Sequence, residues 1–131
     1  MTPSPWKYFS LEELKCHCGK CGSTGLEMDN DFMQWLVALR EVLGFPFIVP
    51  SAYRCPAYNA QVSSTGLNGP HTTGKAIDIA CSGAQSMQLE RAALNAGVQG
   101  KGCNQKGDGR FIHLDRCGAI DGLPRPASWS Y

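Results

Sequence analysis

The sequence predicts an α+β fold, with helices packed on a small, mostly antiparallel sheet. Three observations point there. Apolar residues recur with helical spacing at Phe32, Leu36, Leu39 and Leu43. Short apolar segments at 75–81 and 111–115 read as strands. Helices and strands do not alternate as regular βαβ units, so a parallel, doubly wound sheet is not expected.

The elements follow in order. Residues 1–8 read as a loose tail. Ser10-Leu11-Glu12-Glu13 is a capping box, with Ser10 as N-cap and Glu13 at N3, so a short helix starts there. Residues 16–25 are rich in Cys and Gly and read as an irregular loop. A helix spans 31–43, with Trp35 and Val42 widening its apolar stripe and Gly44 as its stop. Residues 45–53 read as a strand with Pro46 and Pro50 near its ends. Pro56 suits the first turn of a short helix running to Val62. Turn residues fill 63–74, and a buried strand is expected at 75–81. Helical spacing returns from Ala84 to Asn95, with Gly97 as the C′ residue. A loop with short strands spans 100–109, a strand 111–115, and a terminal strand 127–131.

Composition bounds the function. At 131 residues the chain is one domain, residues 1–131, large enough for a core of its own. Hydrophobic residues make up 43% and charged residues 18%, which fits a globular chain and not a disordered one. The net charge of +1 and the lack of a basic stripe give no footprint for nucleic acid. No apolar run is long enough for a membrane span. The first fifteen residues lack the apolar core of a secretory signal, so the chain is expected to be made in the cytoplasm. Seven cysteines, an odd number, cannot all pair within one chain. Without a secretory route, thiols usually stay reduced.

The chemistry concentrates in two segments. The first runs from His71 to Asp78, and the second is Phe111-Ile112-His113-Leu114-Asp115. Asp78 sits between Ile77 and Ile79, and a buried carboxylate needs a cation or several donors. His113 and Asp115 share a strand face, because side chains alternate with period two. Two imidazoles and one carboxylate suit a catalytic zinc, which keeps its fourth position for water. The spacing alone fits a structural role as readily, with Asp78 capping a turn or pairing with Lys75 or Arg54.

The wording around these residues is more specific. Ser51-Ala52-Tyr53-Arg54-Cys55-Pro56-Ala57-Tyr58-Asn59, then His71-x2-Gly74-x-Ala76-x-Asp78, then Phe111-Ile112-His113-Leu114-Asp115, closely resembles the D-alanyl-D-alanine metallopeptidase family. That family includes zinc carboxypeptidases and bacteriophage endolysins that cut peptidoglycan stem peptides. The resemblance extends from about Phe9 to Tyr131. It implies a hedgehog/DD-peptidase-like α+β fold, zinc held by His71, Asp78 and His113, and Arg54 facing the substrate. It also implies a peptidoglycan peptide as substrate, met as a monomer after delivery by lysis or a phage particle. The alternative is a catalytically weak zinc-containing binding or structural domain, for instance of a phage particle. Two departures stand out. Many relatives carry Ser two residues before the first histidine, where this chain has Gly69. Better-studied relatives carry an acidic general base three residues before the last ligand, where it has Arg110. Asp115 is the preferred replacement and Asp108 the second choice.

Cys16-His17-Cys18-Gly19-Lys20-Cys21 raises a separate question. A second, structural zinc could use Cys16, Cys18 and Cys21 with His17 or Cys55 as fourth ligand. Adjacent residues such as Cys16 and His17 do not ligate one ion easily, and disulfides or buried thiols are competing readings. Cys103 and Cys117 flank the 111–115 strand and could bridge under oxidising conditions. Trp35 is expected in the core. Trp6, Trp129 and Tyr131 are expected either at the core edge or along a substrate groove.

Overall fold

The computed structural model describes residues 3–131. Four helices, α1 (Leu11–Leu14), α2 (Asn30–Leu43), α3 (Pro56–Val62) and α4 (Gly83–Asn95), accompany five strands. These are β1 (Ile48–Ser51), β2 (Ala76–Ala80), β3 (Gly100–Asn104), β4 (Phe111–Asp115) and β5 (Ala127–Ser130). The strands form one sheet in the order β1-β2-β4-β3-β5. The α+β class thus holds.

The sheet is mixed. β1–β2, β2–β4 and β3–β4 pair antiparallel, but β3–β5 is parallel. The cause lies in the connection after β4. Asp115, the last residue of β4, sits opposite Gly100, the first of β3. Residues 116–126 therefore deliver the chain to the start of β3, and Ala127 enters beside Gly100 running the same way.

Local signals account for most boundaries. In α1 the Ser10 hydroxyl accepts from the Glu13 amide at 3.3 Å, and the Glu13 carboxylate accepts from the Ser10 amide at 3.1 Å. Asp29 caps α2 by accepting from the Phe32 amide at 2.9 Å, and Gly44 ends it in the left-handed conformation. β1 is shorter than the 45–53 segment anticipated. Proline offers no N–H to a ladder, Pro46 and Pro50 interrupt the pairing, and the register shifts between Ile48 and Ser51. The 63–74 segment winds into two short 3-10 turns, Gly66–Asn68 and Pro70–Thr73.

The two faces of the sheet divide the labour. Ile77 and Ile79 of β2 and Ile112 and Leu114 of β4 enter the core with Phe32, Met33 and Leu36 of α2 and Leu89 and Ala93 of α4. Their alternating neighbours, Asp78, His113 and Asp115, are turned to the opposite face, where they are also buried. The tail reading of 1–8 needs correction within the described residues. Trp6 is 5% exposed, packs in the core and donates its indole N–H to Asn30 Oδ1 at 2.9 Å. Burial of its large apolar ring favours docking of the segment. Met1 and Thr2 lie outside the described residues.

Candidate metal centre

The site is built on the pairing of β2 with β4. Asp78 and His113 are direct cross-strand partners, so their side chains emerge side by side. His71 arrives from the 3-10 turn Pro70–Thr73. One nitrogen of each histidine and one oxygen of Asp78 all lie within 4.8 Å of one another. Asp78 Oδ1 is 3.2 Å from His71 Nε2 and 3.1 Å from His113 Nδ1. All three residues are buried.

The outer nitrogens of both rings are fixed. His71 Nδ1 lies 2.6 Å from the Ala52 carbonyl, which can only accept, so Nδ1 carries the proton and Nε2 presents its lone pair inward. His113 Nε2 lies 2.7 Å from Asp115 Oδ2, which turns His113 Nδ1 inward by the same logic. Burial pushes the His71 pKa down, and this outweighs the pull of Asp78. Burial also acts against charge on His113, but the hydrogen bonds with Asp115 and Asp78 outweigh it and raise its pKa. Burial would raise the Asp78 pKa, yet His71 and His113 together hold it well below the usual carboxylate range.

Arg54 completes the inner arrangement. Its backbone N–H donates to the His71 carbonyl at 3.0 Å. Its side chain donates to Ser51 Oγ at 3.0 Å and to Asn59 Oδ1 at 3.1 Å, and one terminal nitrogen stands 3.6 Å from Asp78 Oδ2. Lys75, the other partner considered for Asp78, pairs with Asp121 at 3.1 Å instead.

The two candidate carboxylates are placed differently. Asp115 is fully buried and receives a two-pronged contact from Arg125, at 3.0 Å on each oxygen. It also accepts from the Cys117 amide at 3.2 Å. Burial would raise its pKa, but His113 and Arg125 bring it down to about 2. Asp115 therefore stands behind His113 and does not line the cleft. Asp108 is exposed on the β3–β4 loop and is likewise absent from the cleft wall. Arg110 is also exposed and donates to the Gly107 carbonyl at 2.9 Å.

The cleft over the three residues has a volume of about 600 Å³. Arg54, Arg125, Phe111, Trp129 and Tyr131 are among its walls. The Trp129 ring packs 5.1 Å from the His113 ring, so Trp129 and Tyr131 belong to the groove while Trp6 belongs to the core. Trp35 is half-buried against the core and donates to the Ala96 carbonyl at 2.8 Å. The structure adds residues to which the sequence reading gave no role. Asn59 was legible only as the end of the Arg54 motif, and Arg125 had no local signal. At Gly69 an added Cβ would meet the Thr65 hydroxyl and the Asn59 amide, so Thr65 fills the space a side chain there would need.

Two imidazole nitrogens and a carboxylate oxygen, with both histidines oriented by hydrogen bonds from behind, form a donor set that fits zinc. The profile of the Peptidase M15 family matches residues 7–115. The chain belongs to that family. Peptidase M15 members are zinc enzymes, and His71, Asp78 and His113 are the residues here that could hold the ion. No curated protein and no solved structure gives a significant match. Among the described residues of this Peptidase M15 chain, no helix is long and apolar enough to cross a membrane.

Proposed function

We propose that the chain hydrolyses peptide bonds in peptidoglycan stem peptides or cross-bridges, as a carboxypeptidase or an endopeptidase, with one zinc held by His71, Asp78 and His113. One observation carries the metal assignment. His71 Nε2 and Asp78 Oδ1 are 3.2 Å apart, and both are acceptors when the imidazole is neutral, as burial favours. Two acceptors at that separation repel unless a cation lies between them. Bound there, zinc supplies Lewis acidity to a water and to a peptide carbonyl.

The chain's own residues divide the remaining work. Arg54 reaches the cleft with its side chain braced by Ser51 and Asn59, ready to stabilise an oxyanion or grip a substrate carboxylate. Trp129 and Tyr131 offer flat apolar walls to the peptide. Asp115 is a positioning residue, because both its oxygens are committed to His113, Arg125 and the Cys117 amide. Asp108, the other carboxylate considered for the base, also lies outside the cleft wall, on a loop whose flanking Gly107 and Gly109 have positive φ. The substrate class follows the motif resemblance, and it implies delivery to the cell wall by lysis or by a phage particle.

Purified sacculi digested with zinc-loaded protein should yield new peptide termini by mass spectrometry, and His113→Ala should yield none. A second reading, a zinc domain of little turnover, draws on the lack of a free carboxylate among the described residues lining the cleft. Zinc-loaded protein that binds sacculi without releasing new termini would establish that second reading in place of the first.

A further inference from the structure

We propose a second metal site, a structural tetrathiolate zinc held by Cys16, Cys18, Cys21 and Cys55. Three of the thiols sit in the irregular loop after α1, and the fourth caps α3. The fold brings all four sulfurs within 4.8 Å of one another. Zinc–sulfur bonds of about 2.3 Å in a tetrahedron place sulfurs about 3.8 Å apart. Cys18 and Cys55 Sγ are 3.9 Å apart, a separation that suits a shared ion, and none of the four is in a disulfide.

A second observation is the direction of the backbone donors. The Cys55 amide donates to Cys16 Sγ at 3.3 Å, the Lys20 amide to Cys18 Sγ at 3.3 Å, and the Tyr58 amide to Cys55 Sγ at 3.4 Å. A neutral thiol is a weak acceptor, whereas a metal-bound thiolate is stabilised by such N–H groups. Three amides aimed at sulfur fit a site made for thiolates. His17 is exposed and outside the cluster, so Cys55 is the fourth ligand.

The site has a structural purpose. The loop carrying Cys16, Cys18 and Cys21 has no helix or strand to satisfy its backbone. Cys55 directly follows Arg54 and opens the helix that carries Asn59. An ion joining them would tie the loop to the segment that aims Arg54 into the cleft. This inference stands independently of the reaction proposed above.

The test counts metal and identifies its donors in the full chain, prepared with zinc under reducing conditions. Elemental analysis and native mass spectrometry should give two zinc ions per chain in the wild type and one in His113→Ala. Cobalt replacement in His113→Ala should show the strong sulfur-to-cobalt charge-transfer bands of a tetrathiolate centre, which needs no cysteine variant to fold. Cys21→Ser, at the most exposed ligand, should lower zinc to one per chain while the His71 site stays filled. One zinc per chain in the wild type that disappears in His113→Ala would overturn the proposal. So would a mass under non-reducing conditions showing these cysteines paired as disulfides, or rapid alkylation of all four thiols in zinc-loaded protein. Loss of peptidase activity with two metals retained would count against the proposed reaction alone.

Discussion

Arg54 illustrates how one side chain can serve both fold and site. Its guanidinium supplies the donor for Asn59 Oδ1, and Asn59 is fully buried. Arg54→Ala should therefore show two effects. Turnover should fall about a hundredfold or more through loss of a donor aimed at developing charge. Stability should fall by about 1–3 kcal/mol because a buried acceptor loses its partner. Steady-state kinetics and urea unfolding measure the two separately, and wild-type turnover would remove Arg54 from the active arrangement. The two carboxylates can be separated in the same way. Asp115→Asn disturbs the bonds that orient His113, so zinc affinity should drop about 10–100-fold. Asp108→Asn should keep zinc and lose about two to four orders of magnitude in turnover if it supplies the base. The reverse pattern, with zinc retained and turnover lost only in Asp115→Asn, would return the base to Asp115.

At the scale of elements, β2 and β4 were each legible as strands because that signal is local, whereas their pairing was not. Ile77, Ile79, Ile112 and Leu114 alternate with Asp78, His113 and Asp115, and the 111–115 strand has the bounds expected. What the sequence could not reveal depends on contacts across long separations. The parallel entry of β5 and the pairing of Arg125 with Asp115 leave no periodic trace, and the sequence offered Cys55 only beside His17 as a partner for the Cys16–Cys21 loop. Cys103 and Cys117 are unpaired in this structure, Cys103 lying 3.7 Å from Glu90 Oε1 and Cys117 3.4 Å from Thr73 Oγ1. The role of β3 was hidden for another reason. Gly100 and Gly102 weaken a strand signal, yet both are needed for close approach. A Cβ at Gly100 would meet the Asp115 carboxylate, and one at Gly102 would meet the Trp129 ring. Gly100→Ala should thus push Asp115 away from His113, lowering zinc affinity as well as stability by about 1–3 kcal/mol. Gly102→Ala displaces an aromatic wall instead and should leave zinc affinity unchanged. Equal zinc affinity in both variants would mean that Asp115 does not position His113.

On the scale of the whole molecule, the sheet separates the metal centre on one face from the core on the other. A core residue remote from the ligands should then change global stability without changing metal binding. The N-terminal segment tests this separation, because Trp6 belongs to the core cluster, which includes none of His71, Asp78 and His113. Its ring is 5% exposed, and its indole N–H holds Asn30, the first residue of α2. Trp6→Ala should cost about 3–5 kcal/mol, from lost burial and the cavity left beside α2. The urea midpoint should fall with little change in the slope of the transition, since the folded state stays equally compact. Zinc content of the folded fraction should match the wild type, because β2, β4 and the 70–73 turn are untouched. An unchanged midpoint would show that the segment contributes nothing to the fold and is the loose tail its sequence suggests. A midpoint that falls together with zinc content would show instead that the two faces of the sheet are coupled, and that α2 packing holds Asp78 and His113 in register.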